Sequence, residues 1–212
     1  MADPTTPDAT KQRILDALVD LLADAGSEAV SVRRVAAGAN VSIGAVQHHF
    51  PTRDDLVVAA MIHVGELTQN SIAEMARSHS NPFDSCQSVC RALAAAADDD
   101  LRASRVWLAF VAHAANNPRV ARIHAELWQR AEDELAGMID AMTRNGGHPL
   151  SPDDVKDRAA VLLACLDGIA VARIVEPERM SRQRAERLAD QALVAALAAP
   201  DPAAHADPLV QG

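Results

Sequence analysis

The side chains with the clearest potential for chemistry lie in the stretch SVRRVAAGANVSIGAVQHHFPTRDDL, residues 31–56. The chain carries a formal charge of −9, yet no Asp or Glu lies between Ala29 and Arg53. Arg33, Arg34 and Arg53 make this window positively charged, which favours contact with phosphates of a nucleic acid. Because the whole chain is acidic, with a pI of about 5.3, a non-specific basic coat for nucleic acid is excluded and any such contact must be local.

Two short helices are predicted inside this window, at residues 31–38 and 42–49, each opened by a serine of the N-cap type. Small apolar residues (Val35, Ala36 and Ala39) give the first helix a face that allows close packing. Asn40 lies where the chain must turn, and asparagine tolerates the left-handed backbone that such a turn requires. Two short helices joined in this way indicate a helix-turn-helix.

The second helix of such a motif enters the major groove of DNA, between two rows of phosphates that repel carboxylates. Gln47 matches the hydrogen-bonding pattern of adenine, His48 or Ser42 can reach base edges or phosphates, and Gly44 permits close backbone approach. The alternative is that these are ordinary solvated residues. The predicted contacts to double-stranded DNA are Arg33, Arg34, Ser42, Ile43, Ala45, Gln47, His48 and Arg53.

The same stretch resembles the DNA-binding motif of TetR-family regulators over roughly residues 8–60, from Val35-Ala36 through His49-Phe50 to Arg53 and Leu56. In two places the chain departs from the family pattern: Asn40 replaces the usual turn glycine, and Gln47 replaces a tyrosine. The later segments WLAFVAHAANNPRVARIHAELWQR and LDGIAVARI are similar to the betaine-inhibitor-like subgroup. The resemblance implies a helical DNA-binding domain followed by a helical domain for ligand binding and dimerisation.

The rest of the chain is also expected to be helical. Hydrophobic residues make up 49% of the sequence, but aromatic residues only 2%, with no tyrosine, and this Ala- and Leu-rich composition favours helices over strands. We predict an all-α fold of about nine helices, with a three-helix helix-turn-helix domain at residues 1–52, a larger helical bundle at 53–199 and a disordered tail at 200–212. The helix that opens at Thr52 is expected to couple the two domains.

Apolar residues in the middle of the chain predict a ligand pocket, with plain core packing as the alternative. A quaternary ammonium ion needs several aromatic faces, and five aromatic residues in the whole chain make such a cage hard to build. A choline-like ligand therefore does not follow from the subgroup resemblance, and we expect a small apolar or amphipathic effector of unknown identity. The predicted lining residues are Trp107, Phe110, Val111, Trp128 and Met138.

The last two predicted helices are rich in apolar and small residues, which suggests a four-helix interface about a two-fold axis. The alternative is the core of a monomer. The residues predicted to lie in this homodimer interface are Leu162, Leu166, Ile169, Leu188, Ala192, Leu193 and Ala196.

Other chemistry finds little support in the sequence. Cys86 and Cys90, four residues apart on one helix, have a spacing that can hold a metal or sense oxidation, but free buried cysteines are the commoner outcome. We therefore predict no metal and no cofactor. An all-helical enzyme that uses the region of His113 and His124 lacks a positioned base and nucleophile, so the protein is predicted not to be an enzyme.

Three cysteines that cannot all pair, no signal-peptide pattern and no apolar run of 18 residues lead us to expect a cytoplasmic location and no membrane span. The resulting hypothesis is a ligand-responsive, homodimeric repressor that binds a pseudo-palindromic operator. The alternative is a helical sensor or carrier of small molecules whose DNA-binding module is degenerate.

Overall fold

The computed structural model describes residues 7–26, 30–97 and 99–199, and these form nine α-helices and no strand. The all-α prediction is confirmed. The predicted tail at residues 200–212 lies outside the described residues. The helices are α1 (Pro7–Ala25), α2 (Val32–Gly38), α3 (Ile43–His49), α4 (Arg53–Ser78), α5 (Pro82–Leu93), α6 (Arg102–Ala114), α7 (Pro118–Asn145), α8 (Pro152–Val175) and α9 (Arg182–Leu197).

Local capping determines where most of these helices begin. The Ser42 side chain accepts a hydrogen bond from the Ala45 backbone N–H, and Thr52 and Asp55 form a reciprocal capping box at the start of α4. Asn117 caps α7, whose first residue is Pro118. Such caps satisfy N–H groups that have no partner within the helix, which is why the starts predicted from sequence agree with the structure to within two residues.

The end of α5 forms without a proline or glycine. The helix ends at Leu93, and the Ala96 N–H donates to the Arg91 carbonyl at 2.7 Å across a turn in which Ala95 has a φ of 54°. This bond pattern is the Schellman type, which normally uses glycine at the left-handed position. Because residues 94–97 are all alanine and none of them is a helix breaker, nothing local in the sequence marks this end.

Two large hydrophobic cores and a smaller cluster stabilise the chain. The amino-terminal core joins α1, α2 and α3 to the start of α4, including Leu56 and Ala60, whereas the second core joins α5, α7, α8 and α9. The smaller cluster joins Val58 and Met61 of α4 to Phe110 of α6 and Val120 of α7. The division at residue 52 stays a prediction. Because α4 packs against both the amino-terminal core and the smaller cluster, it links the two predicted domains.

Candidate DNA-binding surface and ligand cavity

The turn between α2 and α3 has the geometry that the sequence indicated. Asn40 adopts a φ of 53°, and the Val41 N–H donates to the Ala36 carbonyl at 3.0 Å. Val35, Ala36 and Val46 are buried where the two helices meet. The left-handed asparagine is confirmed, and the packing fixes which side of α3 faces outward.

The outward side of α3 carries most of the predicted DNA contacts. Ser42, Gly44, Gln47 and His48 are exposed, and Ile43 leaves 47% of its surface open to solvent. Ala45 is half-buried, and its backbone N–H donates to the Ser42 Oγ at 3.1 Å. The exposed face of α3 therefore combines an apolar side chain, an amide and an imidazole, with no acidic group.

The three predicted phosphate contacts lie on the helices that precede and follow α3. Arg33 and Arg34 are exposed on α2, and Arg53 is exposed at the first position of α4. The Arg53 Nε donates to the Val30 carbonyl at 3.3 Å, which ties the start of α4 to the segment before α2. Guanidinium groups so placed can contact phosphates and set the register of a bound helix.

The carboxylates that end the acid-free window form a contact that sequence reasoning missed. The Asn117 Nδ2 donates to Asp54 Oδ2 at 3.0 Å, the His113 Nε2 lies 3.5 Å from Asp54 Oδ1, and the Arg119 Nη1 donates to Asp55 Oδ1 at 2.7 Å. The start of α4 is thereby bound to the junction of α6 and α7. We call these five residues the elbow contact.

Hydrogen bonds hold the Asp55 carboxyl in its ionised form. Those from Thr52, followed by those from Arg119, keep the pKa of Asp55 below its usual value of 3.8. A hydrogen-bonded carboxylate of this kind is stabilised in its charged form. The ion pair between Asp55 and Arg119 is therefore present at neutral pH.

A cavity of about 180 Å³ lies among α4, α5, α6, α7 and α8. Apolar side chains such as Val64, Leu127 and Leu163 provide most of its wall. Its polar groups come from Thr68, Ser104, Glu134 and Asp167, none of which the sequence had indicated. No Lys, Arg or His occurs among the described residues that line it. The cavity is thus apolar with acidic groups and lacks a cation to receive an anionic ligand.

Trp107 and Trp128 line this cavity and stack against His124. The ring centroids of Trp107 and Trp128 lie 5.1 and 5.4 Å from that of His124, and the two indoles are 6.2 Å apart with nearly parallel planes. The Trp107 Nε1 donates to Asp167 Oδ1 at 3.0 Å, which orients the carboxylate. Burial lowers the pKa of His124 from its ordinary value of 6.5, so this ring is neutral at pH 7.

The other three predicted ligand contacts do not line the cavity. Phe110 is buried in the smaller cluster with Met61 and Val120, and Val111 packs against the same cluster. Met138 packs against the core of α5, α7, α8 and α9. Phe110 and Val111 lie on the same face of α6 as Trp107 but one turn further along, beyond the cavity, and the Phe110 ring stacks on that of Trp107 at 5.6 Å between centroids.

The predicted dimer residues require a correction of the same kind. Leu162, Leu166, Leu193 and Ala196 are buried within the core of a single chain, so their side chains are not available to a partner. Ile169, Leu188 and Ala192 are half-buried against that core. The large apolar side chains that α8 and α9 expose are Val161, at 64%, Val175, at 62%, and Val194, at 57%.

The cysteine pair has the surroundings of inert thiols. Cys86 and Cys90 are buried, and the hydrogen bond with Cys86, together with burial, raises the pKa of Cys90 above its usual range. In residues 7–26, 30–97 and 99–199, no group of three metal-binding side chains is found. Among the helices of those segments, none is long and apolar enough to cross a membrane.

Comparisons with known proteins agree with this geometry. Residues 14–60 match the family model for bacterial regulatory proteins of the tetR family, and residues 82–198 match that for the carboxyl-terminal part of BetI-type transcriptional repressors. The transcriptional regulator PksA of Bacillus subtilis is 26% identical over 84% of this chain and 85% of its own length. BetI of Burkholderia thailandensis is 28% identical over 75% of this chain and 78% of its own length.

Solved structures show the same fold. A transcriptional regulator from a Rhodococcus species is 30% identical, with a TM-score of 0.76 over 88% of this chain and 95% of the other. A regulator from Saccharomonospora viridis, solved with choline, is 16% identical, with a TM-score of 0.77 over 87% of this chain and 95% of the other. From its two family matches and the helix-turn-helix geometry, the chain belongs to the TetR family and is a transcriptional regulator rather than an enzyme.

Proposed function

We propose that the chain is a ligand-responsive repressor of the bacterial cytoplasm that binds a pseudo-palindromic operator as a homodimer. The observation that carries this proposal is the outward face of α3, which is free of carboxylates and flanked by exposed arginines on α2 and α4. A helix with such surroundings can lie between phosphate rows without repulsion. Each subunit would then place α3 in one major groove.

The exposed faces of α8 and α9 support the homodimer. Between Arg158 and Arg173 the outward face of α8 carries Val161, Ala164, Cys165 and Gly168 and no charged side chain. A β-carbon added at Gly168 would meet nothing within 4 Å, so the chain's own packing does not require this glycine. Small uncharged residues along one helix face permit close approach to a second copy across a two-fold axis. We therefore propose this face, rather than the buried leucines, as the interface.

The cavity supports a small apolar or amphipathic effector. Its wall is mostly apolar, and Asp167 and Glu134 are the charged groups on it. An anionic ligand would meet two carboxylates and no compensating cation, whereas a neutral or cationic amphiphile would not. The Saccharomonospora regulator was solved with choline, but its likeness to this chain is one of fold, and the fold alone does not specify the effector.

The elbow contact provides a route from the cavity to the DNA-binding surface. Trp107 on α6 and Trp128 on α7 line the cavity, and the junction of these two helices holds Asp54 and Asp55 at the start of α4. A ligand that displaces α6 or α7 would therefore move α4 and change the spacing of the two α3 helices. This requires only that the ligand bind the two spacings with different affinity.

The arginine contacts offer a direct test. We expect Arg33→Ala to weaken binding to all duplexes and to lower the slope of log affinity against log salt by about one, since one phosphate contact is lost. Fluorescence anisotropy with a duplex from the gene's own upstream region measures both quantities. Arg130→Ala, which removes an exposed arginine from α7, is the matched control and should bind as the wild type does. Equal salt slopes for wild type and Arg33→Ala would contradict the proposed contact.

The alternative of a carrier with a degenerate DNA-binding module has no observation in its favour. The turn, the caps and the exposed face of α3 are all intact. Failure of the purified protein to bind any duplex at low ionic strength would be needed to support it.

A further inference from the structure

We infer that α3 selects adjacent A·T pairs, with Ile43 packing on a thymine methyl group and Gln47 pairing with an adenine. This inference rests on the proposed operator binding and adds the chemical class of the bases that are read. It follows from the residue types on the exposed face of α3 and from those that the helix lacks.

Ile43 is a large apolar side chain whose exposure the protein's own packing does not explain. It is the first residue of α3 and leaves 47% of its surface open, whereas Val46, three residues further on, is fully buried. The first turn of a recognition helix is the part that meets base edges. In the major groove the only apolar group on a base is the thymine C5 methyl. An isoleucine at this place therefore fits thymine better than any other base.

Gln47 lies one turn further along the same face of α3 and is also exposed. Side chains four residues apart on a helix are separated by about 6 Å, which lies between one and two base-pair steps of roughly 3.4 Å. The glutamine amide can donate to adenine N7 and accept from adenine N6 at the same time. The two side chains are thus spaced to read neighbouring base pairs.

The composition of α3 disfavours readout of G·C pairs. Its sequence, IGAVQHH, contains no Arg or Lys to bind guanine O6 and N7, and no Asp or Glu to accept from cytosine N4. The nearest arginines lie on α2 and at the start of α4, where we assign them to phosphates. His48, the remaining exposed side chain with hydrogen-bonding groups, lies beside Gln47 and is free to contact phosphate.

The first experiment selects duplexes from a random pool with the purified full-length protein at low ionic strength. We expect each enriched half-site to contain neighbouring A·T pairs at its most selective positions. In the selected duplex, replacing the thymine by uracil removes only the methyl group and should weaken wild-type binding about fourfold, the worth of one buried methyl group. Replacing the adenine by 7-deazaadenine removes the N7 acceptor and should weaken binding about tenfold.

Variants connect each base change to one side chain. Ile43→Ala should bind the thymine and uracil duplexes equally, and Gln47→Ala should bind adenine and 7-deazaadenine duplexes equally. Ile62→Ala is the matched control, because Ile62 is a similarly exposed isoleucine, at 42%, but lies nine residues into α4; it should retain both preferences.

The outcomes separate this inference from the proposed function. Enrichment of G·C pairs at the selective positions, or equal wild-type affinity for thymine and uracil duplexes, would overturn the inference while DNA binding stands. A pool in which no sequence is enriched and no duplex is bound would instead overturn the proposed function itself.

Discussion

At the scale of single residues, Gly44 lowers the stability of its helix for no reason that lies in the chain's own packing. It lies in the first turn of α3, and a β-carbon added there would meet only the Ser42 Oγ, at an ordinary contact distance of 3.8 Å. Glycine inside a helix is less favourable than alanine by about 0.5–1 kcal/mol. Since the chain's own packing does not require this glycine, the missing side chain leaves room for an external surface.

We therefore expect Gly44→Ala to raise the free energy of unfolding by about 0.5–1 kcal/mol and to weaken operator binding at least tenfold, because the methyl group would separate the helix backbone from the groove. Chemical denaturation and anisotropy measure the two effects. Gly137→Ala on α7 is the control, since a β-carbon there meets nothing within 4 Å; it should stabilise the fold and leave binding unchanged. A Gly44→Ala protein that binds DNA normally would remove the argument for close approach.

Individual residues also show what the sequence could and could not predict. Asn40 and the serine caps were predictable because a turn or cap depends on neighbours along the chain. Asp167 was not, because its place beside Trp107 depends on the packing of α8 against α6 over 60 residues of sequence. Trp107 and Trp128, both predicted as lining residues, lie at the cavity of about 180 Å³.

At the scale of elements, the start of α4 is where capping, charge and domain contact coincide. Asp55 belongs both to the capping box with Thr52 and to the elbow contact with Arg119. The capping box is a local pattern of residues three positions apart, whereas the contact with Arg119 joins residues 64 positions apart and leaves no pattern in the sequence. A change at this helix end should therefore affect both stability and communication between the domains.

The pH dependence of stability tests this role of Asp55. Its pKa is lowered in the folded state, so the unfolded state binds more protons in acid, and the stabilisation present above about pH 5 is lost as the pH falls through the folded pKa, below 3.8. We expect Asp55→Asn to lower stability at neutral pH and to flatten the fall of stability between about pH 5 and pH 3. Urea unfolding across this range provides the measurement.

Asp153→Asn is the control, because Asp153 also lies in the first turn of a long helix but makes no elbow contact. It should leave most of the acid dependence in place. Parallel curves for wild type and Asp55→Asn would show that the lowered pKa has no part in stability.

The faces of α8 show what the pattern of apolar residues along a helix cannot predict. This helix is apolar on nearly all sides, so the sequence indicated burial of most of it but not which side faces the chain's own core. The predicted interface accordingly chose leucines that the structure buries within one chain. Only the packing of α9 and α7 against α8 distinguishes Leu162 from its neighbour Val161.

At the scale of the whole molecule, the proposed operator binding requires association of two copies. Val161 lies at 64% exposure on the uncharged face of α8. We expect Val161→Arg to convert the dimer into a monomer, because two cations would face each other across the two-fold axis, and to weaken operator binding at least tenfold as the second half-site contact is lost. Sedimentation velocity and anisotropy on the same samples measure both.

Leu67→Arg is the matched control, since Leu67 on α4 is 52% exposed and outside the proposed interface; it should stay dimeric. A Val161→Arg protein that remains dimeric would show that the copies meet elsewhere.

The concentration of positive charge in one acid-free window of an otherwise anionic chain also has a kinetic consequence. Phosphate rows attract that window and repel the rest of the surface, so the electric field orients the protein before any contact forms. Complexes in which another face of the protein meets the DNA would dissociate quickly. The protein would therefore spend little time bound to unrelated sequence. Raising ionic strength should therefore slow productive association and, at the same time, reduce the bias against misaligned collisions.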